Sequence, residues 1–259
     1  MADMKFSLRY LLWPLVALSI YLLMQLLCGL PMGVAMFLNP DTDMSMWTGA
    51  ILLVSSIVTS ILILMLPPFG LRRAFSSVGC DRLTAVIAIV GTLLTLLASN
   101  IINEWLDLPN NFEELFVGIS GTIWGMLAIG IFGPICEEIV FRGGIMKPML
   151  DKGVNPWIPI FISAVVFGLI HGNPAQIPFA AIVGIVFGII YYRTRSLVIT
   201  SLCHMLNNSF AVILMNLYGD EADELTFDKM LGTPGSIILF AVATLAAAFL
   251  IRLFWKRTA

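Results

Sequence analysis

The chain has 259 residues, 59% hydrophobic and only 12% charged, with a mean hydropathy of +0.97. A soluble domain carries about 25% charged residues, so charges this sparse cannot cover a water-facing surface, and the solvent for most of the chain is lipid. The net charge of -2 says little by itself, and no basic patch points to nucleic acid. Cys28, Cys80, Cys136 and Cys203 form no C-x-x-C pair, which excludes a zinc knuckle or disulfide framework.

Apolar stretches near the ~20 residues that cross the hydrocarbon recur along the chain. They predict an all-α, polytopic helix bundle of about eight transmembrane helices at roughly 10–37, 46–66, 83–102, 116–140, 156–173, 176–192, 196–217 and 235–255. The first is too long for a signal-peptide h-region and lacks a small-x-small cleavage site, so it reads as a span. Lys5 and Arg9 precede it. Arg72, Arg73 and Arg82 follow the second, and Arg142, Lys147 and Lys152 the fourth. Arg193 and Arg195 follow the sixth, and Arg252, Lys256 and Arg257 the last. The alternate loops hold Lys229 alone among basic residues, with Asp41, Asp43, Glu104, Asp107, Glu113, Glu114, Asp220, Glu221, Asp223, Glu224 and Asp228. The positive-inside rule then makes both termini cytoplasmic, and an odd number of spans would destroy the alternation. If the source is bacterial, the membrane is the cytoplasmic (inner) one.

Residues 69–82 read as an interfacial cytoplasmic helix. Gly121/Gly125, Gly168/Gly172 and Gly184/Gly188 are small-x-x-x-small pairs that let helices approach closely. Trp13, Trp47, Trp105 and Trp255 fall near span ends, as in an interfacial belt. No internal repeat is evident, which weighs against an inverted-repeat transporter.

Scarce polar chemistry is concentrated in the oiliest segments. Glu137, Glu138 and Arg142 lie in Gly-Pro-Ile-Cys-Glu-Glu-Ile-Val-Phe-Arg (133–142). A charge in hydrocarbon costs at least ~2.5–3.5 kcal/mol, so such groups face a cavity and carry a function. Glu138 and Arg142 are four apart and can pair on one helical face. Glu137 points about 100° away and is free for other work. A carboxylate in a low-dielectric site has its pKa raised towards neutrality, which suits a general base. The two histidines of the chain are His171, in Phe167-Gly-Leu-Ile-His171, and His204, in His204-Met-Leu-Asn-Asn208. Phe167 and His171 share a face, and so do His204 and Asn208. An imidazole N–H beside an amide N–H can hold a developing oxyanion. A carboxylate base, a polarising histidine and two convergent donors form a set for adding water to a peptide carbonyl inside the membrane.

Glu-Glu-x-x-x-Arg (137–142), Phe-x-x-x-His (167–171) and His-x-x-x-Asn (204–208), in that order, resemble the motifs of the CPBP family, also called Abi, of CAAX proteases and bacteriocin-processing enzymes. Tyr192-Arg-Thr-Arg-Ser-Leu197 also resembles the family, in which glycine commonly stands at the place of Arg195. The likeness covers about residues 115–217 of a single membrane domain, 1–259. It marks that stretch as the catalytic core and leaves 1–114 and 218–259 as accessory spans. The resemblance implies an intramembrane endopeptidase related to type II CAAX prenyl endopeptidases. By it, Glu137 activates water with help from His171, His204 and Asn208 stabilise the oxyanion, and Glu138, Arg142 and Phe167 support them. It implies a metal-free mechanism. Zinc at Glu137, His171 and His204 is the alternative, against which stands the lack of an H-E-x-x-H pair.

Counting along the spans raises one difficulty. Glu137 falls near the cytoplasmic end of span four, whereas His171 lies about 22 Å into span five at 1.5 Å per residue. The two meet if the helix through Glu137 runs on to about Met149, or if span five begins in the cytoplasm. Residues 172–178 read as a break that lines a cavity.

Three other readings compete. Gly118-Ile-Ser-Gly121 matches the G-x-S-G of rhomboid serine proteases, but that reading leaves both glutamates unexplained. Intramembrane carboxylates and histidines also make proton relays, so a proton-coupled transporter is possible chemistry. A non-catalytic immunity or scaffold protein would lose at least one of the four polar site residues, and none is missing. Expected partners are the lipid bilayer and a membrane-bound or lipidated peptide or protein substrate, with no nucleic acid. Cys136 and Cys203 read as inert buried thiols.

Overall fold

The computed structural model of the chain describes residues 11–66, 69, 80–219 and 226–258. Every regular element among them is helical. In chain order these are α1 (Leu12–Leu38), α2 (Ser45–Met65), α3 (Arg82–Leu106) and the short α4 (Glu113–Ser120). There follow α5 (Ile123–Asp151), α6 (Trp157–Leu169), α7 (Ile177–Thr194), α8 (Leu197–Tyr218) and α9 (Phe227–Arg257). Seven of them, α1, α2, α3, α5, α7, α8 and α9, are long and apolar enough to cross a bilayer. Lipid-facing leucines, isoleucines and phenylalanines run along α1 and α9, including Leu23, Leu26, Leu30, Ile238, Leu245 and Phe249. The chain is a multi-pass integral membrane protein.

The fifth expected span differs from its prediction. Helix α6 has 13 residues, about 20 Å at 1.5 Å per residue, well short of the ~30 Å hydrocarbon core. Gly172, at φ +62°, turns the chain after it, and Pro174 and Pro178 bracket the connection to α7. Among the described residues the bundle is therefore seven long helices and the short apolar α6, with the eight-residue α4 beside them.

The fourth span is longer than its prediction, because α5 runs on to Asp151. Glu137 thus sits at its midpoint, 14 residues from Ile123 and 14 from Asp151. Arg142, expected in a cytoplasmic loop, is instead fully buried in the helix, so it reports nothing on topology.

The two ends of the bundle are chemically distinct. At one end Arg257 meets Asp81 (3.3 Å) and Arg195 meets Asp151 (3.1 Å). Arg193 there donates to Thr258 (3.0 Å) and lies over the Trp255 ring. At the other end Trp105 Nε1 donates to Asp228 (3.5 Å), and the Phe227 N–H donates to Glu104 (2.9 Å). The basic and acidic ends predicted from the loops are thus opposite faces of one bundle. The proposed interfacial helix falls almost wholly outside the described residues, as do Lys5, Arg9, Arg72, Arg73, Asp220, Glu221, Asp223 and Glu224.

Candidate active site

Helix α5 is not uniformly α-helical. Two π segments, Ala128–Phe132 and Ile139–Met146, flank an α-helical stretch, Gly133–Glu138. The first has a readable cause. Pro134 has no N–H to offer the carbonyl of Gly130, and the Gly133 N–H reaches back five residues to Ala128. The carbonyls of Ile129 and Gly130 are thereby released. Helix α8 takes both: Asn208 Nδ2 donates to the Ile129 oxygen (3.1 Å) and Ser209 Oγ to the Gly130 oxygen (3.1 Å). Gly130 permits this approach, since a Cβ there would stand 3.3 Å from Ser209 Oγ. π-Bulges recur at functional sites, and this one sets the register at which the next turn presents its glutamates.

That turn separates the two carboxylates. Glu138 points into the core, fully buried, and pairs with Arg142 at 3.0 Å. The guanidinium also donates to the Gly184 carbonyl (3.1 Å) and lies over the rings of Phe167 and Phe187, 5.0 and 5.2 Å from their centroids. Glu137 points the other way, into a cavity, with its side chain 19% exposed.

His204 bridges them. Its Nδ1 lies 3.1 Å from Glu138 Oε1 and its Nε2 3.5 Å from Glu137 Oε2. A carboxylate only accepts, so the proton on Nδ1 is directed at Glu138. The ring is held between Phe167 and Phe187 at 5.6 and 5.2 Å. His171 sits one turn beyond Phe167, its Nδ1 2.7 Å from the Phe167 carbonyl. A carbonyl also only accepts, so the neutral ring carries its proton on Nδ1 and presents Nε2 as a lone pair. The turn after His171 is pinned by buried Asn173, which donates to Asn110 (2.7 Å) and accepts from the Asn111 N–H (3.3 Å).

Glu137, His171, His204 and Asn208 line one cavity of about 480 Å³. Phe167 is in its wall. Glu138 and Arg142 stand behind that wall. Three features differ from the sequence-based expectation. His204 partners the two glutamates rather than standing free beside Asn208. One Asn208 N–H is committed to a helix carbonyl. Ser209 completes the same clamp, and only the neighbouring proline could have hinted at it. Tyr21 and Gln25 on α1 and Ser56 on α2 also line the cavity; no motif marks them, because their approach is set by tertiary packing. Ser120 of the rhomboid-like sequence is buried elsewhere, donating to the Val117 carbonyl. Among the described residues no group of three or more His, Cys, Asp or Glu could hold a metal ion. Cys136 and Cys203 are free and buried.

A helical membrane bundle with a carboxylate, two imidazoles and an amide around one internal cavity defines a class of polytopic protein built for polar chemistry at mid-depth. Residues 119–210 match the family described as type II CAAX prenyl endopeptidase Rce1-like. Over 89 residues the chain is 32% identical to the putative membrane peptidase YdiL of Bacillus subtilis, covering 34% of this chain and 36% of that protein. Over 114 residues it is 30% identical to the membrane-embedded CAAX protease MroQ of Staphylococcus aureus, covering 42% of this chain and 46% of that one. The chain thus matches less than half the length of these curated relatives. No solved structure matches it. Over residues 119–210, about a third of the chain, its three motifs in order are similar to those of the CPBP family.

Proposed function

We propose that the protein is an intramembrane endopeptidase that hydrolyses a peptide bond in a membrane-associated peptide or protein by a glutamate-dependent, metal-free mechanism. The observation that carries this reading is the division of labour between adjacent glutamates: one neutralised by a buried arginine, the other facing a cavity shared with both histidines.

In this mechanism Glu137 takes a proton from a water molecule whose oxygen attacks the scissile carbonyl carbon. His171 assists through its Nε2 lone pair. The carbonyl oxygen becomes an oxyanion, held by the second Asn208 N–H and by an Nε2–H of His204, while Glu138 orients that ring. Collapse of the tetrahedral intermediate breaks the C–N bond, and Glu137 returns its proton to the leaving amine. Glu138 and Arg142 are positioning residues that fix the His204 ring. A positioned general base contributes about 10²–10⁴-fold, and an oxyanion donor about 10²–10³-fold.

The test uses the purified full chain in detergent with a quenched fluorogenic peptide library. Wild type cleaves a peptide, and Glu137→Gln loses at least about a hundredfold of that rate while keeping its melting temperature. Equal activity in Glu137→Gln would end the assignment. Inhibition by a chelator, reversed by zinc, would replace the metal-free mechanism.

A further inference from the structure

The cavity is one-sided. Its wall on α5 comes from Ala128, Ile129, Gly133, Pro134 and Glu137, all between the acidic end and the midpoint of that helix. On α8 it runs from His204 outward to Met215, and on α7 it takes the first residues, up to Val183. Phe116 of α4 and Gln176 stand at the acidic end itself. Leu22 of α1, 48% exposed, belongs to the same wall, so the cavity also opens sideways.

The basic half is closed. Beyond Glu137, α5 is buried almost continuously: Val140, Phe141, Arg142, Met146 and Met149 have no exposed surface. A second void there, by Gly143 and Tyr191, measures only about 10 Å³, too little for more than a single water. Charge follows the same axis. Among the described lining residues there is no Lys or Arg. Glu113 and Glu114 lie in the first turn of the helix that carries Phe116.

Resting on the proposed endopeptidase function, we infer that the substrate is an internal, neutral or cationic peptide segment that reaches Glu137 from the acidic half of the bundle and not from its basic end. The positive-inside rule makes that half extracytoplasmic. A free C-terminal carboxylate would enter a cavity that holds Glu137 and, among the described lining residues, no Lys or Arg, where like charge opposes it. A lysine-flanked apolar segment meets the Glu137 carboxylate and an otherwise largely apolar wall.

Accessibility tests this without requiring cleavage. Ala211→Cys puts a thiol on the α8 wall; Thr42→Cys and Lys152→Cys mark the exposed acidic-end and basic-end loops. A membrane-impermeant maleimide is added to intact cells or to inverted vesicles, and the modified sites are located by mass spectrometry, which separates them from the native cysteines. Ala211→Cys is expected to react from the side that modifies Thr42→Cys and not from the side that modifies Lys152→Cys. Reaction from the Lys152 side, or from neither, overturns the inference. Asn207→Cys repeats the test if Ala211→Cys fails to accumulate. In the Glu137→Gln background, an amidated apolar peptide flanked by lysines should slow labelling at least tenfold, and the same peptide flanked by glutamates with a free carboxylate should not. Equal protection, reversed preference, or no protection overturns the charge rule. A cavity that labels and is protected as expected, with no peptide cut by wild type, counts against the endopeptidase reading alone.

Discussion

His204 faces Glu137 across 3.5 Å, Nε2 to Oε2, from a helix 67 positions further along the chain. The ring cannot turn away, because Glu138 holds its other nitrogen and two phenylalanines hold its faces. Removing Glu138 should therefore damage both the fold and the geometry of this pair.

The buried Glu138–Arg142 pair gives the sharpest stability prediction. Both side chains have no exposed surface, so breaking the pair leaves an uncompensated charge at a cost of about 3–5 kcal/mol. Glu138→Gln and Arg142→Met should each lower the melting temperature in detergent. The double variant should be destabilised by less than the sum of the two. Additive losses would show that the pair does not act as a unit.

Ser209 and Asn208 should separate by function. Ser209→Ala leaves the Gly130 carbonyl without its donor, a loss of about 1–3 kcal/mol for a buried acceptor, read as a lower unfolding midpoint with cleavage chemistry retained. Asn208→Ala should lose comparable stability and also at least about a hundredfold in turnover. Asn208→Asp should behave as Asn208→Ala does, since a carboxylate cannot donate to Ile129. Full turnover in either Asn208 variant would reduce that residue to a clamp.

Gly125 sits where the α4–α5 turn folds tightly back. A Cβ at this position would lie 1.9 Å from the Ile119 carbonyl oxygen, and one on Gly49 of α2 would lie 2.6 Å from the Gly125 nitrogen. Gly125→Ala should therefore not accumulate as a monodisperse protein, whereas Gly29→Ala, with open space around it, should. Size-exclusion profiles of the solubilised membranes check this.

Asp81 caps α3, and its carboxyl is held down at about 2 by the hydroxyl and N–H of Thr84, with Arg257 assisting. A pKa lowered on folding adds stability above the ordinary value of 3.8 that is lost as pH falls through about 2. Wild type should thus melt above Asp81→Asn at neutral pH, and the gap should close across that acidic window. A gap that persists to the lowest pH would mean that the charge of Asp81 plays no part.

The residues that converge on the cavity were easier to read from the sequence than the depth at which the helices carry them. Glu137, His171, His204 and Asn208 were visible because polar and ionisable groups are costly in apolar helices unless they face a cavity or a partner, and their i, i+4 neighbours follow from helical geometry. The depth of Glu137 was left open, because Arg142 and Lys147 mimic the end of a span when only charge is counted, and only the alternative in which the helix runs on to about Met149 placed it deeper. The π turn was hidden. Hydrophobic periodicity does not register one extra residue per turn, and Ser209 acquires meaning only once Gly130 has lost its usual donor. Tyr21 and Gln25 belong to an unexceptional apolar helix and join the cavity only through packing.

Helix α6 stops about 10 Å short of a full crossing, and the polar run Asn173-Pro-Ala-Gln176 fills the deficit. Hydrocarbon cannot solvate the backbone of such a run. The protein supplies the partners instead: Asn173 is fully buried and bonded to Asn110 and to the Asn111 N–H of the α3–α4 connection. The loop after α3 therefore holds the chain two residues from His171 and helps to fix where that imidazole stands.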